Sequence, residues 1–257
     1  MKNFSRVHTK LTTLLAAGAS IALWLALPSD RWGGRMWAVG SSVCHQIPSH
    51  SLNVAGVQFP ICARCAGLYL GSLLGLVYFG IQGKQKAPPR RPFLLILLVL
   101  LLAWAGDGLN SFISDLVNRP FLYETSNITR LGTGFGMGLV MSTALTTLFN
   151  IVIWQEGEAR PVLHSGWQIV LYVVLVAVCG FIFWYAGLPL FRLLSILSIL
   201  TILVIISALY TIFWVIVMKK ENRFNGWGAL SPFVFAGLAT ALAQILLLNL
   251  IRLRVIG

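Results

Sequence analysis

The feature that most constrains this chain is a succession of long apolar segments. A hydrocarbon core about 30 Å thick requires roughly 20 mostly apolar residues for one helical crossing. Inside lipid, only helices and closed barrels satisfy every backbone polar group, and these runs lack the alternation of a barrel strand. We therefore predict seven crossings, at Leu11–Leu27, Cys62–Ile81, Pro92–Ser114, Thr129–Ile153, Gln168–Tyr185, Leu190–Met218 and Pro232–Leu250.

Composition agrees with an integral membrane protein. Of the 257 residues, 58% are hydrophobic and 10% are charged, and the mean hydropathy is +0.84. The predicted fold is all-α: one polytopic membrane helical bundle of about seven transmembrane helices, with residues 1–257 as a single membrane domain. We attribute the net charge of +12 to basic residues that set the orientation in the membrane and attract anionic lipids. No soluble basic segment suggests a nucleic-acid partner.

Lysine placement predicts the orientation of the bundle. Lysine and arginine collect on cytoplasmic loops, and all six lysines fall on one side if the N-terminus is cytoplasmic. The apolar run at Leu11–Leu27 is then a signal anchor rather than a cleaved signal peptide. We expect a multi-pass protein of the cell membrane, with the loop Pro28–Ile61 on the extracytoplasmic side.

That loop leads into an unusual cluster of cysteine and histidine, "VCHQIPSHSLNVAGVQFPICARCAGLYLG", which spans Val43–Gly71. A CxxC spacing lets two sulfur atoms from one turn bind one metal or form one disulfide. An upstream Cys-His pair can complete a site of three sulfurs and one nitrogen, which is typical of structural zinc. The candidate metal ligands are Cys44, His45, Cys62 and Cys65, for zinc or another transition metal.

The sequence does not decide which residue is the fourth ligand. Cys44 and His45 are adjacent, and neighbouring side chains do not easily reach the same ion, so His50 or Asp107 is an alternative to His45. A position occupied by water would make the centre catalytic.

Polar residues near two other helix ends are expected to adjoin this cluster. Asp107, Asn110, Ser111 and Ser114 share one face of their helix, and Glu124, Asn127, Arg130 and Gly134 share a face of the next. Ionisable residues at membrane depth are functional candidates by default. The structural alternative is an ion pair of Asp107 or Glu124 with Arg130. The candidate catalytic residues are Asp107, Asn127, Arg130 and Arg64.

Glycine spacing predicts close helix contacts. Small residues recur every fourth position in the second crossing, and the fourth crossing contains two similar stripes. These two crossings are therefore expected to approach each other closely, although the stripes would equally serve a homo-oligomer. The residues are Ala63, Gly67, Gly71 and Gly75, then Gly132 with Gly136 and Gly134 with Gly138.

Four segments together resemble the signature of an uncharacterised prokaryotic membrane-protein family, domain-of-unknown-function family 2085. They are "CHQIPSHS", "QFPICARCAGLYLG", "GDGLN" and "YETSNITRLGTGFGMG". The resemblance implies a shared membrane fold and polar site, but it supplies no reaction. It places a family-like core at residues 43–140 and a helical extension at residues 141–257.

Three functions follow as hypotheses. The leading one is a metal centre, with zinc as the expected ion, that supports a membrane-embedded enzyme or a binding site for a lipid-like substrate. The alternative is a thiol-disulfide oxidoreductase coupled to quinone, because Cys62 at a helix N-terminus beside Arg64 favours thiolate. Such an enzyme would want two loop cysteines, whereas Cys44 is alone. The third is a transporter, since a polar site between glycine-rich helices also suits a translocation path.

Overall fold

The computed structural model describes residue 18 and residues 34–185 and 187–256. Six long apolar helices confirm six of the predicted crossings and the all-α membrane fold. The first predicted crossing, Leu11–Leu27, falls, apart from Gly18, outside the described residues. The described helices are α1 (Gly34–Ser41), α2 (Ala63–Ile81), α3 (Arg91–Val117), α4 (Asn127–Ile153), α5 (Gly166–Tyr185), α6 (Leu188–Val217) and α7 (Trp227–Ile256).

The segment before α2 is folded, although the sequence indicated only a loop. It contains α1, a 3₁₀ turn at Pro48–His50, and a hairpin of β1 (Asn53–Val54) and β2 (Val57–Gln58). Val39, Phe59 and Ile61 are fully buried. Burial of these apolar side chains stabilises the segment against the ends of the helices. It therefore forms a packed cap over one end of the bundle.

The contact between α2 and α4 is the most extensive among the described elements, as the glycine spacing predicted. Of the two stripes on α4, Gly134 and Gly138 form it, whereas Gly132 faces open space and Gly136 faces Leu100 of α3. A Cβ atom added to Gly138 would lie 2.7 Å from the carbonyl carbon of Gly71 and the nitrogen of Ser72. A Cβ on Gly134 would meet the carbonyl oxygen of Arg64. Only glycine permits backbones to approach this closely. This contact places the start of α2 against the second turn of α4, at Leu131 and Gly134.

The two ends of the bundle differ in character. At the end opposite the cap, β3 (Gln85–Ala87) pairs in parallel with β4 (Glu158–Pro161). Lys86 Nζ there donates to Trp154 O, and Lys84 Nζ donates to Asn225 O at 2.7 Å. Because successive helices run in opposite directions, α2, α4 and α6 begin at the cap end. The four described lysines lie at the other end: Lys84, Lys86, Lys219 and Lys220.

Candidate metal centre

Three side chains with metal-ligating atoms converge under the cap. One ligand atom each from Cys44, His45 and Cys62 lies within 4.8 Å of the other two. Cys44 follows α1 in a turn, and Cys62 is the N-cap residue of α2. The adjacent residues Cys44 and His45 therefore reach the same site, contrary to the expectation that neighbouring side chains do not. Both cysteines are buried and His45 is exposed, so the cluster opens to the surface on the imidazole side.

Backbone amides orient the sulfur of Cys44. The amide of Cys62 donates to Cys44 Sγ at 3.1 Å, and the amide of Gln46 donates to it at 3.5 Å. Gln46 has φ +58°, in the left-handed region, and this turns its amide back toward the sulfur. Amide donors favour the charged form of the group that accepts them. The loop is therefore shaped to hold a thiolate or a metal-bound sulfur.

Gln46 fixes this loop to the rest of the cap. Its Nε2 donates to Trp37 O at 3.0 Å and to Pro60 O at 2.8 Å. Arg252 Nη1, near the end of α7, donates to Gln46 Oε1 at 3.2 Å. The last helix thus contacts the loop that holds Cys44, which the sequence did not indicate.

The thiols of the cluster interact with one another. The interaction with Cys65 is one cause of the pKa shifts of both Cys44 and Cys62, but Cys65, a predicted metal ligand, lies outside the group of ligand atoms within 4.8 Å of one another. Hydrogen bonds from Cys44 and Cys65 lower the pKa of the Cys62 thiol, whereas the interaction with Cys62 and burial raise the pKa of Cys44 to about 11. All three are free thiols. The interaction between Cys44 and Cys62 therefore shifts their pKa values in opposite directions.

His50 belongs to a neighbouring contact rather than to the three-residue group. Its ring packs edge-on against His45 at 5.5 Å between centroids, and its Nε2 lies 3.4 Å from Asp115 Oδ1. Burial and the charge of Arg130 lower the pKa of His50. These contacts favour His45 over His50 as the nitrogen donor.

A buried ion pair joins α2 to α3 beside the thiols. Arg64 Nε donates to Asp107 Oδ2 at 2.9 Å, and Arg64 Nη2 donates to Asp107 O at 3.0 Å and to Ser111 Oγ at 2.8 Å. Tyr123 Oη donates to Asp107 Oδ1 at 2.7 Å, and Thr133 Oγ1 donates to Oδ2 at 3.3 Å. The carboxylate is therefore fully engaged within the protein, and its pair is with Arg64 rather than with Arg130.

Arg130 and Asn127 form the second half of the polar cluster. Arg130 Nη1 donates to Asn127 Oδ1 at 3.1 Å, and Nη2 donates to Thr125 Oγ1 at 2.8 Å. Asn127 Nδ2 donates to Ser51 O at 3.2 Å. The first turn of α4 is thus tied to the loop that follows His45. Glu124, the other acid considered as a partner for Arg130, is exposed.

Comparisons with other proteins agree with this architecture. Residues 44–144 match the family described as "Predicted membrane protein (DUF2085)". An uncharacterised protein of Methanocaldococcus jannaschii is 30% identical over 121 residues, which cover 47% of this chain and 72% of that protein. The chain belongs to the DUF2085 family. A second uncharacterised relative, from Methanothermobacter thermautotrophicus, is 29% identical over 112 residues, covering 43% of this chain and 91% of that protein. No solved structure matches.

The DUF2085 match contains every candidate site residue. Cys44, Cys62, Asp107 and Arg130 all lie within residues 44–144, and helices α5 to α7 follow that range. The sequence analysis placed Ser111 on the polar face of α3 but missed three hydroxyl groups that hydrogen-bond to the charged residues, those of Tyr123, Thr125 and Thr133. Their only signal was a position beside the charged residues, because serine, threonine and tyrosine are common at helix ends.

Proposed function

We propose that the cap end of the bundle holds a transition-metal centre, with zinc as the ion that fits best. The supporting observation is the convergence of Cys44, His45 and Cys62, with their ligand atoms within 4.8 Å of one another. Cys65, which the CxxC spacing places one turn from Cys62, is the proposed fourth ligand, although its sulfur lies outside the group of three. Three sulfurs and one imidazole nitrogen are a usual zinc donor set, and soft thiolates select zinc over hard cations.

The metal centre serves a lipid-like substrate, at a binding site or in a membrane-embedded enzyme. The polar cluster adjoins it on the cap side of α3 and α4, where a lipid headgroup would lie. In this proposal Asp107 and Arg64 hold α2 and α3 in register, and Asn127 and Arg130 meet the substrate. Displacement of one ligand by substrate or water would open the metal for Lewis-acid chemistry. The orientation of the lysines supports an extracytoplasmic position for the site.

Elemental analysis of protein purified anaerobically in mild detergent tests the metal centre. We expect about one equivalent of zinc in the parent, none in the double variant Cys62→Ser/Cys65→Ser, and the parent value in Cys179→Ser. Cys179 is the matched control because it is a buried cysteine on α5, outside the cluster. Equal metal content in the parent and the double variant would show that the cysteines are not ligands.

The thiols themselves favour a second candidate, a quinone-coupled thiol-disulfide oxidoreductase. The observations behind it are the proximity of the Cys44 and Cys62 sulfurs, which lie within 4.8 Å of each other, and the lowered pKa of Cys62. Two thiols would form one disulfide, and their two electrons and two protons would reduce a quinone to the quinol. Absence of metal from the parent, together with reversible oxidation of two thiols, would favour this enzyme over the metal centre.

A further inference from the structure

The guanidinium of Arg130 is buried without a carboxylate partner. The residue is only 6% exposed. Its described hydrogen bonds go to the neutral groups of Asn127 and Thr125, and its buried Nε has no hydrogen-bond partner among the described residues. In the described part of the chain, no acidic oxygen lies within 4.0 Å of it. A buried charge is costly unless it is paired, so this site requires a negative partner.

The surroundings of Arg130 add to the free-energy cost of burying its positive charge. It lies in the first turns of α4, which contains no acidic residue there, and a helix N-terminus carries a partial positive charge. The nearby arginine, Arg64, is neutralised by Asp107. Asp115, which also acts electrostatically on Arg130, is half exposed and faces His50 at 3.4 Å. Asp107, Asp115 and Cys62 therefore act on Arg130 only from a distance, because no carboxylate oxygen of the described residues lies within 4.0 Å of it.

Hydrogen-bond donors converge beside this charge. Thr125 Oγ1 accepts from Arg130 and also from Ser111 at 3.2 Å, so its own proton points away from both. The buried Nε–H of Arg130 donates to no acceptor in the described part of the chain. A guanidinium fork, a hydroxyl donor and a helix N-terminus are the groups that bind phosphate oxygens.

We propose that Arg130, with Thr125 and the start of α4, binds a phosphate group. This phosphate site extends the proposed function, because it names a phosphate-bearing molecule as the substrate class. Only the link between the phosphate and the metal centre rests on the proposed function. The phosphate belongs either to the headgroup of an anionic phospholipid or to a free phosphate ion. Both place the same oxygen atoms on the same donors.

Calorimetric titration of delipidated protein with inorganic phosphate, and of protein in nanodiscs with and without phosphatidylglycerol, tests the inference. Hydrogen bonds to charged groups predict a loss of affinity of about ten- to hundredfold in Arg130→Gln. Arg130→Lys keeps the charge but loses the fork, so its loss should be smaller. Arg119→Gln should bind as the parent does, because Arg119 is an exposed arginine at the same end of the bundle.

The outcomes distinguish a lipid headgroup from free phosphate, and the phosphate site from the metal centre. Arg130-dependent binding of inorganic phosphate identifies a free anion, and dependence only on phosphatidylglycerol identifies a headgroup. Retention of binding in Cys62→Ser/Cys65→Ser is expected, and a metal-free parent that still binds phosphate would refute the metal centre alone. Failure of the parent to bind either anion, or equal binding by Arg130→Gln, would overturn the phosphate site. Loss of metal from Arg130→Gln without any anion binding would assign the guanidinium to the thiolates instead.

Discussion

Replacement of Asp107 by asparagine removes one charge from the buried pair while preserving shape. Asp107 has a side chain that is 1% exposed, and that of Arg64 is 12% exposed. The carboxylate accepts hydrogen bonds from Arg64, Tyr123 and Thr133. The amide group of an asparagine would point its N–H₂ at a group that also donates, and it would leave Arg64 without a counter-charge.

The size of the effect follows from the burial of the pair. Loss of one partner of a buried ion pair costs about 3–5 kcal/mol, because the other charge remains desolvated. Arg64 retains some exposure, so the lower value, about 3 kcal/mol, is the appropriate expectation here. For a protein of this size each kcal/mol shifts Tm by about 2–4 °C, which gives a decrease of about 6–12 °C.

Circular dichroism melting in detergent measures this decrease, with Asp115→Asn as the matched control. Asp115 lies on the same helix, and its side chain is 50% exposed. Its contact with His50 is worth about 0–1 kcal/mol, so its Tm should remain close to that of the parent. In a double-mutant cycle, Arg64→Gln should be less damaging in the Asp107→Asn background than in the parent. Equal Tm values for the parent and Asp107→Asn would refute the reasoning.

Two further predictions concern packing and orientation. Gly138→Ala should destabilise the protein by about 1–3 kcal/mol, because the added methyl meets the backbone of α2. Gly132→Ala, on the same helix but facing open space, should stabilise it by about 0.5–1 kcal/mol; thermal melting that ranks the two the other way would contradict the α2–α4 contact. In a variant with all native cysteines changed to serine, a membrane-impermeant maleimide should label Glu124→Cys in intact cells and Lys220→Cys only after lysis. The reverse pattern would place the metal site on the cytoplasmic side.

Features with a local physical cause were predictable from the sequence. Bilayer thickness determines how long an apolar run must be, so the boundaries of α2 to α6 agree with prediction to within about three residues. Alternation of helix direction then placed Cys62, Asp107 and Arg130 at one end of the bundle. Glycines at every fourth position indicated the contact between α2 and α4, because close approach requires small residues on one face.

The cap was less predictable because its order comes from contacts distant in sequence. Short elements such as α1 and the β1–β2 hairpin have little stability by themselves. Val39 and Phe59 are buried by packing against the helices, and Gln46 links Trp37, Pro60 and Arg252. Neither apolar periodicity nor motif spacing reports such contacts.

Apolar run lengths and motif positions were enough to predict a helical membrane protein with its sulfur, imidazole and charged groups near one end. Which of those groups meet was visible only in the folded chain: Cys44 and His45 lie with Cys62, Asp107 pairs with Arg64, and the described hydrogen bonds of Arg130 go to neutral groups. The physical reason is that the number of crossings depends on the length of apolar runs, which is a local property. Pairing between side chains depends on the rotation and spacing of whole helices, which the glycine contact between α2 and α4 sets.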